Sequence, residues 1–177
     1  MPMMWHPCGG SWIFSYPWFE RRYFPFKGGF MTRTEKAVAS FQSGYNCAQS
    51  TLMAFVDDLG LEKRQAMKLA SGFGGGMGRM QEVCGAVSGG VLALGARFGH
   101  EEPDESEAQK KTYALVQEFF RRFQAQHGSC LCREMLQGID LKTEEGQKQF
   151  KDRDMRNKAC VPCVRTAVEI LEELMGK

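Results

Sequence analysis

Along most of the chain the hydrophobic positions recur three and four residues apart, and no stretch keeps the strict alternation of a half-buried strand. Ala37, Val38 and Phe41 predict a short first helix that stops at Gly44. Asn46 then caps a second helix, in which Cys47, Leu52, Phe55, Val56 and Leu59 lie near one side and Gly60 supplies a left-handed terminator. Residues 62–71 form a third, with Ala66, Leu69 and Ala70 inward. A fourth runs from Cys84 to about Phe98, with Val87, Val91 and Leu94 as its bulk and Gly85, Gly89 and Ala93 as a flat surface. After the acidic connection 101–106, a long core helix carries Tyr113, Leu115, Val116, Phe119, Phe120 and Phe123 towards Gln126, and His127 and Gly128 stop it. A short helix follows Ser129. Residues 137–158 are polar with little periodicity and predict a loop, with some helix near 144–153, since Phe150 alone cannot anchor much. The last helix opens at Cys160 and carries Cys163, Val164, Ala167, Leu171 and Leu174 on one stripe. The pattern predicts an all-α, single-domain compact helical bundle with a glycine-rich turn between two of its helices.

That turn, residues 72–80, organises the rest. It leads into the Cys84 helix, which has almost no side-chain volume for two turns, although each interior glycine costs about 1 kcal/mol against alanine. Something must need the closeness: another backbone packed directly against the helix, or a ligand or second cysteine approaching the Cys84 sulfur. A phosphate cradle fits poorly. The turn lacks a Gly-Lys-Ser/Thr ending, does not match the dinucleotide fingerprint, and follows a helix rather than a strand. The flat face can pack against a second subunit as easily as against its own chain, so a homo-oligomer is compatible with it.

Composition divides the chain in two. Residues 1–30 hold ten of the twenty aromatic residues and all three tryptophans, are broken by Pro2, Pro7, Pro17 and Pro25, and show neither periodicity. They predict an N-terminal extension outside the domain, taking Cys8 with it, whereas Met31 followed by Thr32-Arg33-Thr34-Glu35 makes a natural capped beginning for a domain over 31–177. The formal net charge of +2 is carried entirely by residues 1–30, through Arg21, Arg22 and Lys27 against Glu20. Residues 31–177 are therefore neutral overall, and nothing electrostatic points to nucleic acid. No apolar run approaches the roughly 20 residues of a membrane helix.

Seven cysteines change the picture more than any of this. Most fall inside or beside helical patterns in a long chain, unlike the loop-rich disulfide scaffold of a small secreted domain, so a reducing, cytoplasmic setting with metal-binding or redox-active thiols is expected. Cys47 and Cys84 both sit in first turns, where unpaired amides and the helix dipole favour a thiolate. Cys160-Val161-Pro162-Cys163 is a C-x-x-C whose proline suits the first turn of a helix, a placement that can activate one thiol and offer the other as resolving partner. Alternatively, Cys130, Cys132, Cys160 and Cys163 supply the four thiolates favoured by zinc or an iron–sulfur cluster. His6, His100 and His127 add little to either reading.

At these residues the chain resembles the C_GCAxxG_C_C family of redox proteins. Tyr45-Asn46-Cys47-Ala48-Gln49 is similar to its first cysteine segment, residues 72–78 to its glycine turn, and Cys84-Gly85-Ala86-Val87-Ser88-Gly89 to its central motif. Cys132-Arg133-Glu134-Met135-Leu136 and Cys160 supply the third and fourth cysteines, so the resemblance spans roughly residues 41–175. Cys130 and Cys163 are additions to that pattern. A related domain occurs in split-Soret cytochromes, which attach haem through Cys-x-x-Cys-His, but Val164 follows Cys163 here and covalent haem is not expected. The resemblance implies thiol chemistry without naming a redox partner. The expectation is that Cys47, Cys84, Cys132 and Cys160 converge, with Cys130 and Cys163 nearby. A thiolate at Cys160 or Cys84 then reacts, by thiol/disulfide exchange or electron transfer, and a neighbour resolves it.

Overall fold

The computed structural model describes residues 31–176, and the reading of residues 1–30 as an extension, with Cys8, lies outside them. Among the described residues the architecture is all-α. Eight helices follow in order: α1 (Arg33–Gln42), α2 (Cys47–Met53), α3 (Lys63–Ala70), α4 (Gly85–Phe98), α5 (Ser106–His127), α6 (Cys132–Met135), α7 (Glu144–Asp152) and α8 (Val161–Met175). Helix α4 packs against α2, α5 and α8, while α1 lies on α2 and α8. The main core is built from Val87 and Leu94 of α4, Phe119 and Phe123 of α5, and Val164, Val168 and Leu171 of α8, all essentially inaccessible to water. Burying each such side chain contributes about 1.5–3 kcal/mol.

Local chemistry explains where the helices begin and end. Thr32 and Glu35 form a capping box on α1, and Asn46 and Gln49 form another on α2. The second box also ties two helices together, because Asn46 Nδ2 donates to the Ser71 carbonyl at 2.9 Å and Gln49 Nε2 to the Met67 carbonyl at 2.9 Å. Helix α5 stops at Gly128, whose φ of 79° is the left-handed conformation that glycine adopts without steric cost.

The glycines of α4 answer the question its sequence poses. A Cβ on Gly89 would collide with the Ala48 carbonyl oxygen and stand 2.9 Å from the Ala48 Cα, and one on Gly90 would enter the Phe119 ring. A Cβ on Gly85 would collide with the Cys47 sulfur and lie 2.9 Å from the Phe73 carbonyl oxygen. The first expected reason holds, since backbone packs directly against the helix, and at its entrance it is Gly85 that the Cys47 sulfur approaches.

Three expectations are corrected. Helix α2 ends at Met53 rather than running to Leu59; tight turns follow, with Ala54 and Phe55 amides bonding three residues back to Thr51 and Leu52, and these turns bury Ala54, Phe55 and Val56. Residues 137–158 hold the helix expected near 144–153, as α7, but the rest is not a loose loop around one phenylalanine. Cys132, Leu136, Ile139, Leu141 and Met155 form a second small core with Phe150 packed on it. Finally, Cys160 does not open a helix. Residues Arg156–Cys160 form a π-helical turn that runs straight into α8, and the Val161 amide already bonds to the Arg156 carbonyl. The free amides that would activate a first-turn thiol are therefore occupied there.

Candidate functional site

Between α1, α2, the glycine loop, α6, α7 and the start of α8 lies a cavity of 820 Å³ whose walls include Cys47, Cys84, Cys132, Cys160 and Cys163. Apolar side chains, among them Phe41, Leu136, Leu141 and Phe150, fill much of the wall between the thiols. Cys47, Cys84, Cys132 and Cys163 are between 1% and 8% exposed, and Cys160 is half-buried. All six cysteines among the described residues are free thiols.

The glycine loop positions three of them. After a short 3-10 turn at Ser71–Phe73, the residues Gly75, Gly76, Met77, Gly78 and Arg79 all have φ between 60° and 69°, and Gln81 follows at 62°. This is a left-handed turn, held by bonds from the Arg79, Gln81 and Glu82 amides to the Gly74, Gly75 and Gly76 carbonyls, each 3.2 Å. Such a conformation costs a non-glycine residue about 1–2 kcal/mol, so Met77, Arg79 and Gln81 require compensation. Gln81 supplies it from a buried position: its Nε2 donates to the Ile139 carbonyl at 2.6 Å and its Oε1 accepts from the Leu141 amide at 3.0 Å. Arg133 adds a bond from Nε to the Gln81 carbonyl at 3.2 Å and an ion pair with Glu82.

Beyond the turn, Val83 and Leu131 form an isolated antiparallel bridge. The Cys84 amide donates to the Cys130 carbonyl at 2.8 Å, and the Cys132 amide to the Glu82 carbonyl at 2.7 Å. The loop thus brings the 84 and 132 segments side by side. A Cβ on Gly76 would come within 2.7 Å of the Cys132 Cβ, and one on Gly74 within 2.8 Å of the Asn46 Cβ. Glycine is required at both positions so that α6 and the α2 cap can close on the turn.

The thiols are electrostatically unequal. Cys84 is the N-cap residue of α4, and its pKa is held below the ordinary thiol value. The first cause is the Cys163 thiol, which donates toward the Cys84 sulfur; the Ala86 and Val87 amides at the helix entrance add to it, and together they outweigh burial. Cys163 is correspondingly raised by that contact and then by burial. Cys47 differs from its sequence expectation. The amides of Gly75, Cys47 and Ala48 do favour its thiolate, but burial and the neighbouring Cys84 charge prevail and push it up to about 11. Cys132 is pushed up to about 12 by burial and by Cys84 and Cys47, and Cys160 is raised by burial despite Arg156.

The predicted residues divide accordingly. Cys47, Cys84, Cys132, Cys160 and Cys163 share the cavity wall; Cys130 does not, and its sulfur instead donates to the Phe120 carbonyl at 3.6 Å. Among the described residues no three Cys, His, Asp or Glu side chains are gathered closely enough to hold a metal ion. His127 stacks on Phe123 with ring centroids 4.6 Å apart and lies outside the thiol cavity. Sequence reasoning passed over four residues of the cavity or its supports: Gln81, Arg79, Lys151 and Arg156. Arg156 sits 4.2 Å over the Phe41 ring and donates to the Phe41 carbonyl. Each of these four falls in a stretch without periodicity, where spacing carries no signal.

Cysteines on one cavity wall, separated by a glycine turn that permits their approach, define a thiol-centred helical protein. The chain belongs to the family described as "Putative redox-active protein (C_GCAxxG_C_C)", which it matches over residues 45–174. It is also similar to an uncharacterized protein of Archaeoglobus fulgidus, 28% identical over 134 residues that cover 71% of this chain and 81% of that protein. No solved structure matches. Among the described residues no helix is long and apolar enough to cross a membrane.

Proposed function

We propose that this protein is a dithiol redox protein in which the Cys84 thiolate reacts and Cys163 resolves the product. What supports the reading is that Cys84 and Cys163 line one cavity, where the Cys84 thiol is held below its ordinary value, first by the neighbouring Cys163 thiol, and Cys163 is raised. The thiolate is the nucleophile in exchange, and a protonated neighbour can lose its proton and attack the mixed disulfide. Cys47, Cys132 and Cys160 surround the pair as neutral thiols, able to accept the disulfide in turn.

The experiment is a thiol count on protein purified without oxygen, before and after equilibration with a disulfide buffer, with peptide mapping of what is lost. Two thiols should disappear together and return on reduction, with a Cys84–Cys163 linked peptide. If every thiol stays free the reading fails. The same sample tests the metal alternative, against which stand the placement of Cys130 off the cavity wall and the lack, among the described residues, of any three gathered ligands. Stoichiometric zinc, or iron with thiolate-to-iron absorption, would turn the cysteines into ligands.

A further inference from the structure

The cavity says something about what reaches its thiols. Four of the five sulfurs belong to residues no more than 8% exposed, so a disulfide carried on the surface of a folded protein would have to enter a space of 820 Å³ to meet Cys84. That volume lies within the range of small-molecule sites. Its wall also carries charge of one sign in excess: Arg79 from the glycine loop, Lys151 from α7 and Arg156 from the π-helical turn, against Asp154 alone. None of the three cations makes a carboxylate ion pair among the described residues, although eight such pairs form elsewhere. Arg156 is fixed in place by the Phe41 ring and carbonyl, whereas Arg79 and Lys151 are exposed. Three cations thus stand against one carboxylate on the wall that holds the buried thiols.

We propose that the cavity takes a low-molecular-weight disulfide bearing carboxylate groups, selected by Arg79, Lys151 and Arg156 over neutral and cationic disulfides. This rests on the dithiol reading and adds the substrate class to it. The Cys84 thiolate attacks one sulfur of R–S–S–R; the S–S bond breaks, Cys84–S–S–R forms, and RS⁻ leaves and takes a proton. Cys163 then loses its proton, and its sulfur attacks that of Cys84. The mixed disulfide breaks and a second thiol is released. The small disulfide gains two electrons, and the Cys84–Cys163 pair gives them up. The apolar wall holds the aliphatic part of R while the cations at its margin hold the carboxylates.

The test compares three disulfides of similar size: 3,3′-dithiodipropionate (anionic), bis(2-hydroxyethyl) disulfide (neutral) and cystamine (cationic). The rate at which each oxidises the reduced full-length protein is read by intact mass. Dividing each rate by that disulfide's rate with a free cysteine peptide removes differences in leaving group. The normalised rate should favour the dicarboxylate over cystamine by about tenfold at low salt. In about 0.5 M potassium chloride that preference should shrink, as screening requires. It should shrink likewise in R79A/K151A, where both changes are on exposed side chains. Equal rates, or cystamine first, would overturn the substrate class and leave the dithiol reading standing, because the linked peptide still forms. A disulfide on a folded protein reacting faster than the dicarboxylate would overturn it in favour of a protein partner. If none of the reagents oxidises the pair, both proposals fall.

Discussion

At the scale of single residues, the site turns on how one sulfur is made different from its neighbours. Burial alone would raise all five thiols of the cavity, and at Cys47 it does so in spite of three favourable amides. Cys84 escapes because a thiol donor lies beside it. Cys163→Ala should therefore slow alkylation of Cys84 by iodoacetamide at pH 7. A hydrogen bond to a charged acceptor is worth about 1.5–3 kcal/mol, which lowers the thiolate fraction. The higher intrinsic nucleophilicity of a more basic thiolate recovers roughly half of that on a logarithmic scale. The net expectation is a loss of about three- to tenfold at pH 7 that turns into a gain of similar size at alkaline pH, where Cys84 is ionised in both proteins and the more basic thiolate is the better nucleophile. An unchanged rate profile would mean that the α4 entrance sets the Cys84 thiolate without its neighbour.

Helix α4 shows at the scale of the element why volume is missing where it is. Gly89 faces the Ala48 backbone, which cannot move aside, while Gly95 on the same helix has nothing within 4 Å of where a Cβ would stand. Gly95→Ala should raise stability by about 0.5–1 kcal/mol through helix propensity. Gly89→Ala gains the same propensity but should lower stability by about 1–3 kcal/mol through overpacking. Urea unfolding of the two variants checks the pair, and equal effects would remove close packing as the reason for the glycines. The need for closeness was legible in the sequence, as were the helices themselves, because periodicity and caps such as Asn46 are local signals. The small core under residues 137–158 was not, since Ile139, Leu141 and Met155 are too irregularly spaced to show a helical face and cluster with Cys132 and Leu136 from the segment before. The same holds for the left-handed turn. Its glycines announce a permissive backbone, but nothing local says that Met77, Arg79 and Gln81 share that conformation, because the amide group that stabilises Gln81 finds its partners 58 and 60 residues away. Cys160-Val161-Pro162-Cys163 misleads for the converse reason: proline is at home in a first turn, yet here the helix has already begun through the π-helical turn before it.

For the whole molecule, thiols kept neutral by burial tie folding to pH. Cys47 is pushed up to about 11 and Cys132 to about 12 from an ordinary value of 9.0, and Cys130, Cys160 and Cys163 are raised as well. Below pH 9 both the folded and unfolded states keep these protons, and the stabilisation from burying neutral thiols is fully present. Above it the unfolded chain releases protons that the folded one retains, so stability falls with rising pH by about 1.4 kcal/mol per pH unit for each such thiol until its folded pKa is reached. Cys84 acts in the opposite sense. Its depressed pKa contributes stability above its unfolded value, which is lost as pH falls through the folded one, and it adds no slope on the alkaline side. The reduced protein should therefore lose stability steeply between about pH 9 and 11. Cys132→Ala should flatten that decline by about 1.4 kcal/mol per pH unit, whatever its effect on the stability at pH 8. Urea unfolding at several pH values in the presence of a reductant measures both slopes. Parallel slopes would show that Cys132 ionises freely in the folded state, and the cavity would then be wetter at α6 than its apolar wall implies. A flattened slope in the variant would show that the enclosure restricting access to the reactive pair also sets the alkaline limit of the fold.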